Sequence, residues 1–154
     1  MLRSIVYLVL LGWFAVSAHA QEREWLLDAG SEEAYLIFGV PDTDDVGVSL
    51  WCPLKKGMVN LYLQRPAEEL SKLKAREVAL KVSAGSETVT FRGKLDVAAG
   101  GAAAVIEVEM PATHPVLAAM RDADRLSIEI GRHTLVFPLY SADVAGLIDL
   151  CSKG

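Results

Sequence analysis

The sequence contains few of the residues that usually supply catalytic or metal-binding chemistry. Of its 154 residues, two are cysteine and three are histidine, and 7% are aromatic. The two cysteines lie far apart, so there is no Cys-x-x-Cys motif of the kind that thiol–disulfide catalysts use. There is also no long run of lysine and arginine, which nucleic acids and anionic membrane surfaces attract. These absences argue against thiol–disulfide catalysis and against a nucleic-acid partner.

The only long apolar run lies at the beginning of the sequence. Arg3 precedes an apolar stretch over residues 5–16, and Ala18 and Ala20 then present small side chains on either side of a histidine. This order is typical of a cleaved secretion signal. The stretch is shorter than the ~20 residues that a membrane-spanning helix needs. We therefore predict cleavage after Ala20, and no cysteine follows at which a lipid could be attached.

The remaining residues 21–154 have the length of one ordinary domain with a core of its own. The formal net charge is −5, and cleavage of residues 1–20 would remove Arg3 and make it more negative by one. No later stretch is apolar for long enough to span a bilayer. We predict a single exported domain, periplasmic or secreted, without a membrane span. The sequence leaves the oligomeric state open.

Apolar and polar residues alternate with the period of a β-strand along much of this domain. We predict seven or eight antiparallel strands, arranged as a β-sandwich or as a half-open barrel. The acidic segment 22–33, with apolar residues only around Trp25, is interpreted as a solvated lead-in to these strands with one apolar anchor. The alternation runs through residues 35–40, 46–52, 58–64, 78–82, 88–97, 106–110, 126–130 and 135–139.

The two cysteines fall on faces that are expected to be buried. Cys52 lies on the apolar face of the strand predicted at 46–52. Cys151 shares one helix face with Val144 and Leu147, because these positions are spaced by three and four residues. An even number of cysteines in an exported chain favours a disulfide, although two buried free thiols remain the alternative. We predict that a Cys52–Cys151 disulfide joins a short C-terminal helix to the sheet.

Few residues are candidates for catalysis. His114 and His133 lack any surrounding pattern that places them beside a nucleophile and a carboxylate. Three aspartates within residues 41–45 could contribute oxygen ligands to calcium, but the glycine and distal glutamate of an EF-hand are missing. We therefore predict no catalytic residue, no metal and no cofactor. A small hydrolase or metal-dependent enzyme stays open as an alternative, as does an enzyme inhibitor that presents residues 41–45 or 98–104.

Trp51 and Tyr62 are the first candidates for binding. Trp51 lies on the strand face opposite Cys52, and Tyr62 belongs to the next predicted strand. The usual burial of large aromatic residues favours a position between two sheets. If that face is open instead, the two rings form an aromatic patch of the kind that protein partners use.

Arg92 and Lys94 are the second pair of candidates for binding. Both are expected to face solvent on the strand at 88–97, near Glu107 and Glu109 of a neighbouring strand. Such a strip either forms ion pairs across the sheet or contributes to a charged binding surface. Trp51, Tyr62, Arg92 and Lys94 are thus the predicted binding residues.

The two cysteine neighbourhoods support a resemblance to a known group of proteins. The strand at 46–52 ends in a cysteine, and the chain closes with Phe137-Pro138-Leu139 followed by the helix Leu147-Ile148-Asp149-Leu150-Cys151. In this order the chain resembles small exported bacterial proteins of uncharacterised function, and it is similar to periplasmic accessory proteins of type VI secretion. The resemblance implies a periplasmic binding or accessory module that recognises a protein or another cell-envelope component without catalysis. A carrier that encloses a small ligand within the sheet is a variant of this hypothesis.

Overall fold

The computed structural model describes residues 22–70, 76–97 and 103–152. The predicted signal peptide over residues 1–20 lies outside these ranges, and so does most of the loop predicted at 98–104. None of the helices in the described ranges has the length and apolar character needed to cross a bilayer.

The described residues form nine strands and three helices. The strands pair, all antiparallel, into one sheet in the order β1-β2-β3-β4-β7-β6-β5-β8-β9. The predicted mainly β, antiparallel fold is confirmed, and a single sheet corresponds to the half-open barrel. The elements are β1 Glu24–Ala29, β2 Glu33–Gly39, β3 Val46–Pro53, β4 Met58–Pro66, α1 Ala67–Leu70, β5 Glu77–Ala84, β6 Glu87–Val97, β7 Ala103–Pro111, α2 Pro115–Met120, β8 Arg125–Ile130, β9 His133–Pro138 and α3 Val144–Cys151.

The sheet curls until its two edge strands approach each other. Trp25 of β1 donates a hydrogen bond from its indole Nε1 to the carbonyl oxygen of Pro138 on β9. Its ring lies 5.2 Å from that of Phe38, which in turn lies 5.7 Å from the ring of Phe137 on β9. The segment around Trp25 is therefore strand β1 and not a lead-in to the strands, and Trp25 is its apolar anchor, buried in the core.

Alternate residues of the strands fill the inside of this curled sheet. Gly93 of β6 is buried among them, and a Cβ at this position would lie 2.5 Å from Ile106 Cγ2 and 2.6 Å from Leu80 Cδ1. Glycine is therefore needed here because β5 and β7 send large side chains over β6. The largest fully buried side chains are those of Leu36, Leu50, Leu61, Leu63, Leu80, Ile106, Met110, Leu117, Met120, Leu126, Ile128 and Leu147.

Helix α3 is attached to the sheet by the Cys52–Cys151 disulfide, which confirms the predicted bond. Both cysteines are fully buried, and their Cα atoms lie 5.7 Å apart. The β3–β4 turn also contributes, because the amides of Lys55 and Gly57 donate to the carbonyl oxygens of Leu150 and Cys151 at 3.0 and 2.8 Å. These amides satisfy carbonyl groups that the end of a helix leaves unpaired.

Candidate functional site

The residues opposite the core form a group of aromatic and polar side chains on the outer face of β2, β3 and β4. In the register of these strands, Tyr35 lies opposite Trp51, and Trp51 lies opposite Asn60. Ser49 lies opposite Tyr62 in the neighbouring row. Tyr62 is thus a diagonal neighbour of Trp51, which is within reach for aromatic side chains. We call Tyr35, Ser49, Trp51, Asn60 and Tyr62 the aromatic patch.

The three rings of the aromatic patch are half-buried and none belongs to the core. Tyr35 and Trp51 stack with their centroids 6.2 Å apart and an angle of 21° between the ring planes. The described residues form no second sheet that would cover this face. The expectation that Trp51 is buried between two sheets is therefore wrong, because a single curled sheet leaves its outer face open.

Ser49 and Asn60 lie beside these rings in the register of the strands and are the two polar side chains that are buried in the described part of the chain, each 7% exposed. Neither side chain forms a hydrogen bond within residues 22–70, 76–97 and 103–152. Their polar atoms are not fully enclosed, because the described residues contain no completely buried side-chain nitrogen or oxygen without a partner. The hydroxyl and the amide are therefore accessible from the outside, where water or a bound partner can form hydrogen bonds with them.

Tyr35 is held at the margin of the aromatic patch by a carboxylate. Its hydroxyl donates a hydrogen bond to Glu33 Oε2. This bond raises the pKa of Tyr35 above its ordinary value of 10.0, and desolvation and the negative charges of Glu33 and Asp28 raise it further. Tyr35 is consequently a neutral phenol at physiological pH.

Carboxylates border the aromatic patch on both sides. Asp28 of β1 lies opposite Tyr35, while Glu109 and Glu107 of β7 lie opposite Asn60 and Tyr62. Asp28, Glu107 and Glu109 form no ion pair in the parts of the chain that the structure describes. The patch is therefore an aromatic surface within a negative border. The ion pairs present in those parts are Arg23–Asp45, Arg65–Glu69 and Lys81–Glu129.

The two predicted cationic residues occupy different positions relative to the aromatic patch. Lys94 lies opposite Glu107, at the edge of the negative border. Arg92 lies opposite Ala79 on β5, beyond the point where the pairing of β6 with β7 begins. The expected ion pairs with Glu107 and Glu109 are not among those in the described ranges. The structure thus brings Trp51 and Tyr62 together, whereas Lys94 lies two strands from Tyr62, beyond Glu107, and Arg92 lies farther along the same strand β6.

The residues of the enzyme alternative are used elsewhere or stand apart. His114 caps α2 by accepting a hydrogen bond at Nδ1, and its ring lies 5.2 Å from that of Phe91. His133 is exposed at the β8–β9 turn, and Asp45 pairs with Arg23 at 2.6 Å. No group of three or more histidine, cysteine, aspartate or glutamate residues in the described ranges is arranged to hold a metal ion.

A shallow, mainly apolar cavity lies next to the aromatic patch, at the beginning of β1. Its volume is about 110 Å³, and Leu26 and Ile37 line it together with residues of the β2–β3 connection. Leu26 is 55% exposed and lies in the same row as Ile37 and Ser49.

Tyr35 and Asn60 belong to the aromatic patch but were not predicted from the sequence. For Tyr35, the signal available in the sequence was the run of apolar residues at 35–38, which makes both faces of β2 apolar.

Comparisons of this chain with protein-family models, with curated proteins and with solved structures find no match. The resemblance to accessory proteins of type VI secretion therefore stays a prediction, and function is argued from geometry and chemistry.

Proposed function

We propose that this chain is a non-catalytic module of the periplasm or the cell exterior that binds a partner protein through the aromatic patch. The observation that carries the proposal is the combination of three half-buried rings with two buried polar side chains that have no hydrogen bond within the described residues. Both features lie on an outer sheet face that no second sheet covers in the described part of the chain.

The composition of the aromatic patch fits a protein interface. Tyrosine and tryptophan are enriched among residues that dominate binding energy, because they bury a large rigid area and offer a polar atom at one end. A partner that covers Ser49 and Asn60 gains hydrogen bonds that the isolated chain does not form. Docking also removes the exposed surface of Leu26 from water. The patch therefore supplies apolar area and directional polar contacts in one place.

The disulfide supports the compartment in this proposal. Disulfides persist in oxidising surroundings such as the periplasm and the extracellular space, and they are rare in the cytosol. The Cys52–Cys151 bond fits such a compartment. Together with the predicted signal peptide at residues 1–20, it favours an accessory protein of the cell envelope. Its partner would then be a protein exposed to the same compartment.

Site-specific crosslinking tests the proposal. A photoreactive phenylalanine analogue replaces Tyr62 in one variant and Thr134 in another, and each variant is exported and irradiated in the cells that produce the protein. Thr134 is exposed on β9, on the opposite side of the sheet order from the aromatic patch. We expect a discrete crosslinked protein from position 62 and none from position 134.

The partner must also depend on the aromatic patch. In the crosslinking variant at position 62, Trp51→Ala should reduce capture at least about tenfold, as expected when a central tryptophan is truncated. Arg92→Ala provides the control and should leave capture unchanged. Equal capture from positions 62 and 134, or full capture with Trp51→Ala in a folded variant, would refute the proposal. Binding to isolated envelope polysaccharide without any crosslinked protein would likewise refute a protein partner.

A further inference from the structure

We infer that the aromatic patch takes an arginine side chain from a positively charged protein segment, and that the guanidinium stacks on Trp51 above Asn60 and beside Glu109. This inference rests on the proposed function and specifies the chemistry of the partner.

The order of residues across four strands creates the place for this side chain. Tyr35, Trp51, Asn60 and Glu109 follow one another in register on β2, β3, β4 and β7. The Trp51 ring stacks with that of Tyr35 from β2 at 6.2 Å between the centroids, and Asn60 lies opposite Trp51 on the neighbouring strand of the other side. Two strand spacings separate Trp51 from Glu109 along the sheet, about 10 Å between their backbones. Asn60 lies between them in the register and is 7% exposed.

An arginine side chain satisfies every group at this position. A guanidinium that stacks on tryptophan gains a cation–π interaction, and its N–H groups remain free to donate in the plane of the group. Asn60 offers an amide oxygen with no hydrogen bond in the described part of the chain, and Glu109 offers an unpaired carboxylate. Lysine is a weaker fit, because its compact ammonium does not stack and is more strongly hydrated.

The charges around the aromatic patch select a cation over other ligands. Asp28, Glu107 and Glu109 form no ion pair in the described ranges and outnumber Lys94, which lies opposite Glu107, and the chain as a whole carries a formal net charge of −5. A positively charged segment is therefore attracted to this surface, and an anionic one is repelled.

A titration with short peptides of defined charge tests the inference. Nitrogen-15-labelled protein is titrated with hexa-arginine, hexa-lysine and hexa-glutamate, and the side-chain signals of Trp51 and Asn60 are followed by NMR. We expect hexa-arginine to shift both signals and to bind several-fold more tightly than hexa-lysine, while hexa-glutamate has no effect. Raising the salt from about 0.05 to about 0.5 M should weaken the binding, since exposed charges are then largely screened.

Two variants with the same change of charge distinguish binding at a specific site from general electrostatic attraction of the peptide to the protein. Glu109→Gln should weaken hexa-arginine binding about three- to tenfold, because it removes the carboxylate beside the stacked group. Glu87→Gln, at the exposed β5–β6 turn, should leave the affinity unchanged. Equal losses in the two variants, or equal affinity for hexa-arginine and hexa-lysine, would overturn the inference.

The two proposals fail in different ways. If the crosslinked partner from position 62 is found but hexa-arginine leaves Trp51 and Asn60 unshifted, the arginine inference is wrong and the partner-binding function stands. If hexa-arginine binds as described but no protein is crosslinked, the site for a guanidinium is supported and the protein-partner function is wrong.

Discussion

Replacing both Cys52 and Cys151 by alanine should lower the free energy of unfolding by about 2–4 kcal/mol. The bond links residues 99 positions apart, and for a loop of this length the chain-entropy relation gives about 4.7 kcal/mol at 25 °C as the upper value. Measured losses are usually smaller, because the unbonded unfolded chain retains some structure. Against a typical total stability of about 5–15 kcal/mol, this loss is large.

The physical reason is that the bond restricts the unfolded chain. Part of the attachment of α3 survives without it, because Lys55 and Gly57 still donate backbone hydrogen bonds to the end of the helix. We therefore expect the variant to fold, with a transition at lower urea concentration and a steeper dependence on denaturant as the unfolded state becomes less compact.

Urea denaturation of the exported protein measures this effect. Intact mass before and after reduction and alkylation first establishes that the wild-type protein carries the bond and begins at Gln21. The reduced wild-type protein is the matched control, since it retains both sulfur atoms and lacks only the crosslink. A difference between oxidised and reduced protein of less than about 1 kcal/mol would contradict the chain-entropy argument. Rapid reduction of the native protein would contradict the complete burial of the two cysteines.

Two further predictions concern single residues. Gly93→Ala should destabilise the protein by about 1–3 kcal/mol in urea denaturation, because the new methyl group overlaps fully buried Ile106; Gly30→Ala, where a Cβ meets only an ordinary contact, is the control and should be nearly neutral. Glu33→Gln should lower the pKa of Tyr35 towards 10.0, followed by NMR of ring-labelled tyrosine. Because the pKa of Tyr35 is raised in the folded state, the Glu33 contact stabilises the fold below about pH 10, and this effect is lost as the pH rises through the folded pKa. An unchanged Tyr35 pKa in the Glu33→Gln variant would exclude Glu33 as the cause of the shift.

The strands inside the domain could be predicted from local pattern, whereas the first strand could not. Alternation marks β3 clearly, and the spacing of apolar residues marks α3, so Cys52 and Cys151 could both be assigned to buried faces. Strand β1 lacks a comparable signal because charged residues surround its apolar centre. It is held by pairing with β2 and by the contact of Trp25 with Pro138, which lies 113 residues away in the chain.

Some residues of the candidate site could likewise be predicted from local sequence pattern, and others could not. Trp51 and Tyr62 could be singled out because each is a large aromatic residue on the outer side of an alternating strand. Tyr35 and Asn60 could not, because their place beside Trp51 depends on the register between separate strands. Arg92 was grouped with the site by its spacing from Lys94, but the pairing of β6 with β7 stops before it.

The sequence by itself determined which residues of alternating strands such as β3 face inward and which two residues form the disulfide, because these follow from short-range periodicity and from the presence of two cysteines. Tertiary structure alone decided that one sheet curls on itself instead of packing against a second. It also decided that Tyr35, Trp51, Asn60 and Glu109 form one row across four strands. The physical reason is that strand order and register are set by side-chain packing between segments distant in the chain, which no local pattern encodes.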